Sequence, residues 1–253
     1  QPVFAPGLSM TIDYYNIKLN DAITSPTIGD VFSACFDNNP SPTNPACTSI
    51  RRNPATGNLF GNVGTTPGLP LVLTNQGQIF TDGIDLVANY STDLGFAGLD
   101  LGFFGNWTNR SRFKANQDDP ASLNRECVGY YSINCASIQP EFSFTQRTTL
   151  SFDQVDLSLR WRFIDAVEVE PLVADAFLED FRTIPSEHYF DLTAVFNVTD
   201  SFALTAAVIN LFDNEPKVVG SNIGSTAYNS GNVFPSTYDA LGRRYSVTAR
   251  MTF

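Results

Sequence analysis

Eight segments of this chain alternate apolar and polar side chains with a period of two, the pattern of a β-strand whose two faces meet different surroundings. At 155–163 the pattern is cleanest: Val155, Leu157, Leu159, Trp161 and Phe163 interleave with Asp156, Ser158, Arg160 and Arg162. The others lie at 8–19, 79–91, 98–110, 141–152, 188–198, 202–210 and 245–253. Their connections also alternate. Those at 92–97, 153–154 and 199–201 are tight, whereas 20–78, 111–140, 164–187 and 211–244 are long and rich in Asn, Gly, Pro and Ser. The core of a soluble β-sandwich would produce the alternation but gives no reason for short and long connections to take turns. A barrel of the bacterial outer membrane does, because its periplasmic turns are short and its outer loops long. The pattern therefore predicts an all-β fold, an antiparallel up-and-down transmembrane β-barrel, with residues 1–253 forming one barrel portion.

The sparse charge points the same way. Charged residues make up 16% of the chain, against roughly 25% in soluble domains. Stretches such as Phe202 to Phe212 fall short of the roughly 20 apolar residues that a membrane-crossing helix needs. Lipid leaves backbone groups without partners, so strands closed into a barrel are the remaining way across. A formal charge of −11 repels a polyanion and argues against nucleic acid as a partner. The chain opens on Gln1, Pro2 and Val3 without an initiating Met or a signal peptide, which reads as a fragment or a trimmed mature piece.

The two faces carry the candidate residues. Arg147, Arg160, Arg162 and Arg250 all fall in the polar phase, as does Asp191. In a barrel that phase faces a wet lumen, and on the lipid side each arginine would cost about 2–4 kcal/mol at mid-bilayer. These five residues are candidate ligand contacts. Tyr90, Trp107, Phe142, Phe152, Phe163, Tyr189 and Tyr245 collect towards strand ends, where interfacial girdles lie. Tyr130, Tyr131, Phe177, Phe181, Tyr228, Phe234 and Tyr238 sit in long loops, placed either to stack on a flat ligand or to pack the loops.

Cys35 with Cys47 and Cys127 with Cys135 form two close pairs in polar loop segments, a spacing that favours two disulfides made in an oxidising compartment. Zinc is the weaker alternative, since His188 is the only histidine and no CxxC occurs. The acidic stretch Asp165, Glu168, Glu170, Asp175, Glu179, Asp180 and Glu187 faces only Arg182 as counter-charge. A solvated outer loop is favoured over a divalent-cation site. No Walker loop, GxSxG, HExxH or GxGxxG motif appears, so no catalytic residue, resident metal or cofactor is assigned.

Several segments resemble TonB-dependent receptors of Gram-negative bacteria. Asn210-Leu211-Phe212-Asp213 followed by Glu215-Pro216 is similar to the motif closing the penultimate strand in that family. Tyr238-Asp239-Ala240-Leu241-Gly242-Arg243-Arg244, leading to a terminal Phe253, is similar to the family's ending. Asp13-Tyr14-Tyr15-Asn16-Ile17 and Thr81-Asp82-Gly83-Ile84-Asp85 resemble its barrel strands. The resemblance implies energised uptake of a scarce small-molecule ligand such as a siderophore, cobalamin, saccharide or metal chelate. It also implies outer-membrane lipid as surroundings, and the TonB complex as a partner reached through an N-terminal part not in this sequence. Tyr245 and Phe253 would serve membrane assembly. Family barrels have about 22 strands, so eight strands would be the last third; the alternative is a small eight-stranded barrel with a passive or structural role.

Overall fold

The computed structural model describes residues 5–38, 40–62, 64–69, 71–117, 124–132, 134–135, 138–220 and 232–252. Tyr228 and Phe253 lie outside the described residues. The chain divides into two compact units, the first made of Gln1–Tyr15, Asp82–Asn109 and Cys127–Phe253, the second of Asn16–Thr81 and Arg110–Glu126.

All eight alternating segments are strands: β1 (Leu8–Thr24), β2 (Thr74–Asp93), β3 (Gly98–Lys114), β6 (Phe142–Ser151), β7 (Val155–Ile164), β10 (Glu187–Thr199), β11 (Phe202–Ile209) and β12 (Arg244–Met251). Each pairs with its sequence neighbour in the order β1-β2-β3-β6-β7-β10-β11-β12, with the short β4 (Asn124–Glu126) added to β3. Among the described residues the sheet is open, with β1 and β12 at its ends. The first three strands run longer than their alternation predicts, because polar residues such as Asn20 and Gln78 still pair there, joined by a side-chain hydrogen bond of 3.0 Å.

The tight turns have plain causes. Between β2 and β3, Leu94 donates its N–H to the Ala97 carbonyl, Gly95 takes φ +84, and the Asp93 carboxylate accepts the Gly95 N–H at 2.7 Å. Between β6 and β7, the Phe152 N–H reaches the Val155 carbonyl at 2.9 Å.

The apolar phase of the sheet is not covered by protein. Met10, Ile12, Tyr245 and Val247 stay 58–74% exposed together with Met251. In a water-soluble sandwich this face would be the core; here it is left for another apolar medium. A band of rings crosses it, with Phe144 against Phe163 at 5.2 Å and Trp161 against Phe190 at 5.7 Å. His188 lies in the same band, accepting a hydrogen bond on Nδ1 from Trp161 Nε1 at 3.1 Å. Tyr189 corrects one expectation: it points to the polar side and is 0% exposed, so it is no girdle residue.

In the first unit the buried hydrophobic core lies in the loops. The strands β5 (Tyr130–Tyr131), β8 (Val167–Val169) and β9 (Thr183–Ile184) form a separate small sheet. Tyr131, Ile138, Val167, Val169, Ile184, Val219, Phe234 and Tyr238 pack together on it. The disulfide Cys127–Cys135 lies beside this sheet in sequence. The second unit contains α1 (Ile28–Phe32), capped by Thr27 and Asp30, and α2 (Pro45–Ser49), capped by Asn44. Cys35–Cys47 joins these segments, and a buried Arg125–Asp30 ion pair of 2.9 Å ties β4 to α1.

Candidate functional site

The polar face of β7 and β10 gathers the densest charge in the first unit. Antiparallel register sets Arg160 opposite Asp191 and Arg162 opposite Tyr189. Arg160 Nε donates to Asp191 Oδ2 at 2.7 Å, and Arg162 Nε lies 3.4 Å from the same oxygen. The Arg162 guanidinium also covers the Tyr189 ring at 5.1 Å and reaches Asp239 at 3.7 Å. Arg244 holds Asp239 in a two-pronged pair of 2.9 and 3.1 Å, the geometry that a planar guanidinium fork favours.

A bend after β11 fixes this cluster. Asn210 is fully buried at φ 55, donates its N–H to Asp191 Oδ1 at 2.8 Å, and bridges to Asn214 through two side-chain hydrogen bonds of 2.9 Å. Asparagine is among the few residues besides glycine that visit this left-handed region routinely. Asp213, at φ 59, then accepts the Arg243 N–H at 2.7 Å. The adjacent Gly242, at φ +68, leaves no room for a side chain, since a Cβ there would sit 2.8 Å from Asp213 Oδ1. The Asn210–Asp213 segment and the Leu241–Arg244 segment are thus one lock, and they hold Asp191 and Asp239 in place.

Arg147 stands opposite Arg160 and donates to Ser158 Oγ at 3.0 Å. Arg160, Arg162 and Arg244 share two carboxylates, Asp191 and Asp239, while Arg147 is held by Ser158 and Glu187 lies in the same polar phase as Tyr189 and Asp191. Such a surface can hold an anion by charge-assisted hydrogen bonds.

The structure brings together Arg147, Arg160, Arg162 and Asp191 but sets Arg250 apart, opposite Ala203 at the other end of β12. Tyr131, Phe234 and Tyr238 are buried at 1, 1 and 3% exposure, with Tyr131 and Phe234 in edge contact at 5.8 Å. Their rings pack within the loop core. Tyr130 is half-buried in β5. Arg244 was legible in the polar phase shared with Ser246, Thr248 and Arg250; Asp239 carries no periodic signal, being a loop residue. Burial raises the phenol pKa of Tyr131 and of Tyr238 above the usual tyrosine value. In the acidic stretch Arg182 lies 3.9 Å from Asp175 and 3.5 Å from Glu179. Among the described residues no three His, Cys, Asp or Glu side chains converge as metal ligands.

Comparison with solved structures gives the same fold at low identity. The ferric enterobactin receptor PfeA of Pseudomonas aeruginosa, in a mutant form, aligns at a TM-score of 0.59 and 13% identity over 98% of this chain and 29% of its own. The apoprotein form of the FrpB iron transporter of Neisseria meningitidis aligns at 0.56 and 14%, over 98% and 29%. The ferric-catecholate import receptor Fiu of E. coli K12 aligns at 0.51 and 14%, over 99% and 26%. The chain thus spans between a quarter and a third of the length of these receptors. No curated protein matches it in sequence. A family model described as "TonB dependent receptor-like, beta-barrel" matches residues 3–211, and the chain belongs to that family.

Proposed function

We propose that this chain is the C-terminal part of an outer-membrane receptor that takes up an anionic metal chelate, with energy delivered through TonB to a part of the protein outside this sequence. The observation that carries the reading is the arginine cluster on the polar face of β6, β7, β10 and β12, where Arg160, Arg162 and Arg244 share Asp191 and Asp239 and Arg147 stands opposite Arg160. Guanidinium groups lining an aqueous lumen offer an anion charge-assisted hydrogen bonds. Arg147, Arg160 and Arg162 are the ligand-facing groups, and Asp191 orients two of them. Two of the structural neighbours are named as receptors for ferric enterobactin or ferric catecholate, and a third as an iron transporter. Ferric tris-catecholates are anions, which suits guanidinium donors.

On this reading the exposed apolar phase faces outer-membrane lipid, the long loops face outward, and Tyr245 and Phe253 assist assembly. The test is uptake of a radiolabelled ferric catecholate by cells carrying the full-length protein, with and without TonB. Arg160→Gln with Arg162→Gln should cut uptake about tenfold or more without lowering outer-membrane yield. TonB-independent passage, or uptake by the double variant at the unmodified rate, would refute the reading. Phe253→Ser should lower outer-membrane yield, and an unchanged yield would remove the assembly role.

A further inference from the structure

In the second unit a cavity of about 140 Å³ opens between α1, α2, the start of β2 and the residues that follow β3. Its apolar lining is Pro26, Val31, Ala34, Pro45, Ala46 and Ala115, so no apolar group larger than valine reaches into it. The first unit treats its loops in the opposite way, filling them with Tyr131, Phe234, Tyr238 and Ile184. Protein interiors are close-packed, and a space lined by small apolar groups forgoes the dispersion contacts that a larger side chain would supply. One set of loops is packed with rings and the other is left hollow, with room for a group from outside the chain.

The hollow is kept open because its walls are tied from behind. Ala34 precedes Cys35 and Ala46 precedes Cys47, so the disulfide between those cysteines sets the spacing of the two helical walls. Asn44 adds a second tie: its Oδ1 accepts the Ala46 N–H at 2.9 Å, and its Nδ2 donates to the Ala34 carbonyl at 2.9 Å. The Gln117 N–H donates to the Gln76 carbonyl at 2.7 Å, joining β2 to the segment that carries Ala115. Asp30 brings the one charge on the lining, and that charge is already answered. Its Oδ1 accepts from Arg125 at 2.9 Å, and its Oδ2 accepts the Thr27 N–H and hydroxyl at 2.8 Å each. An ion entering the cavity would give up its water and meet no counter-charge on the lining, whereas a neutral apolar group would bury its surface there.

We infer that this cavity is a binding site for a small neutral apolar group, a single ring or the branched end of an alkyl chain. An apolar protein cavity of about 150 Å³ admits benzene, which sets the ligand at about six to eight carbons. Thr74, Gln76 and Asn116 give the lining an uncharged polar edge, suited to a hydroxyl or ether oxygen on the same ligand. The site is distinct from the arginine cluster of the first unit and independent of the uptake reading. It also gives the Cys35–Cys47 disulfide a task, which is to hold two walls a ligand's width apart.

The experiment titrates benzene into the full-length protein, held in lipid nanodiscs and carrying isotopically methyl-labelled alanine for nuclear magnetic resonance. The methyl signals of Ala34, Ala46 and Ala115 should shift together and saturate, whereas that of Ala206 in the apolar phase of β11 should show only unsaturable partitioning into lipid. Benzoate, with the same ring and a charge, should bind at least about tenfold more weakly. Ala34→Leu fills the space from one wall and Ala46→Leu from the other, and each should weaken benzene binding by at least about tenfold, read on the remaining alanines. Heat-modifiable mobility checks folding, and variants on separate walls keep the test decisive where one of them fails to fold. Dithiothreitol should weaken benzene binding as well. The absence of a saturable shift at the lining alanines overturns the proposal, as it would where another segment of the longer protein fills the cavity. Benzoate binding as tightly as benzene overturns the neutral class of ligand, wild-type affinity in both leucine variants overturns the location, and unchanged affinity after reduction overturns the task given to the disulfide.

Discussion

The backbone N–H of Asn210 donates to Asp191 Oδ1 at 2.8 Å, so a bend after β11 dictates where the carboxylate shared by Arg160 and Arg162 sits. Asn210→Ala removes two side-chain hydrogen bonds to Asn214 and places a Cβ residue without a local partner at φ 55. The expected cost is about 2–4 kcal/mol. Asn210→Gly keeps the backbone conformation and should cost less. The order of the two variants in a thermal series of heat-modifiable mobility checks this; an Ala variant as stable as the Gly variant would contradict it.

The apolar and polar phases make opposite demands on neighbouring residues of one strand. Leu204 and Thr205 are adjacent in β11, facing Ala249 and Thr248 of β12. Leu204→Arg should cost about 2–4 kcal/mol if this face meets the bilayer middle, and outer-membrane yield should fall. Thr205→Arg should assemble normally. Equal yields would mean that the two faces are not lipid and water.

That contrast also marks how far sequence reading reached. Strands were legible because a two-sided environment imposes a period of two, and each of the eight segments is a strand. Ends of β1 and β2 were not, since Asn20, Thr74 and Gln78 pair beyond the apolar band where no alternation is demanded. The small sheet of β5, β8 and β9 was missed because strands of two or three residues carry no period. At the candidate site, Arg160, Arg162 and Asp191 followed from phase alone. Asp239 did not, because a loop residue is placed by the Asn210–Arg244 lock and not by periodicity.

Reduction should act on the loops and spare the barrel strands. Non-reducing peptide mapping should recover Cys35 with Cys47 and Cys127 with Cys135. After reduction, proteolysis should cut within 127–139 while far-ultraviolet circular dichroism stays that of the sheet. Loops of this length contribute about 2–3 kcal/mol. Loss of the sheet signal on reduction would show that the disulfides support the strands as well.

Tyr131 and Tyr238 should ionise at higher pH than free tyrosine, because burial penalises the phenolate. A phenol whose folded pKa is raised contributes stability that is fully present below the unfolded value of about 10 and is lost as pH rises through the folded pKa. Spectrophotometric titration should therefore show late-ionising tyrosines, of which Tyr131→Phe and Tyr238→Phe each remove one. Alkali above that range should loosen the loop core before the strands.

The loop core draws Tyr131 and Ile138 from one long loop, Val167, Val169 and Ile184 from a second, and Val219, Phe234 and Tyr238 from a third. Segments separated by tens of residues in the chain are thus heritable only as a set. A recombination event or a designed graft that exchanges one loop between relatives strips the other two of their packing partners. Exposed positions such as Leu172 and Leu178 can change without disturbing that packing, while the three loop bases travel together as a single module.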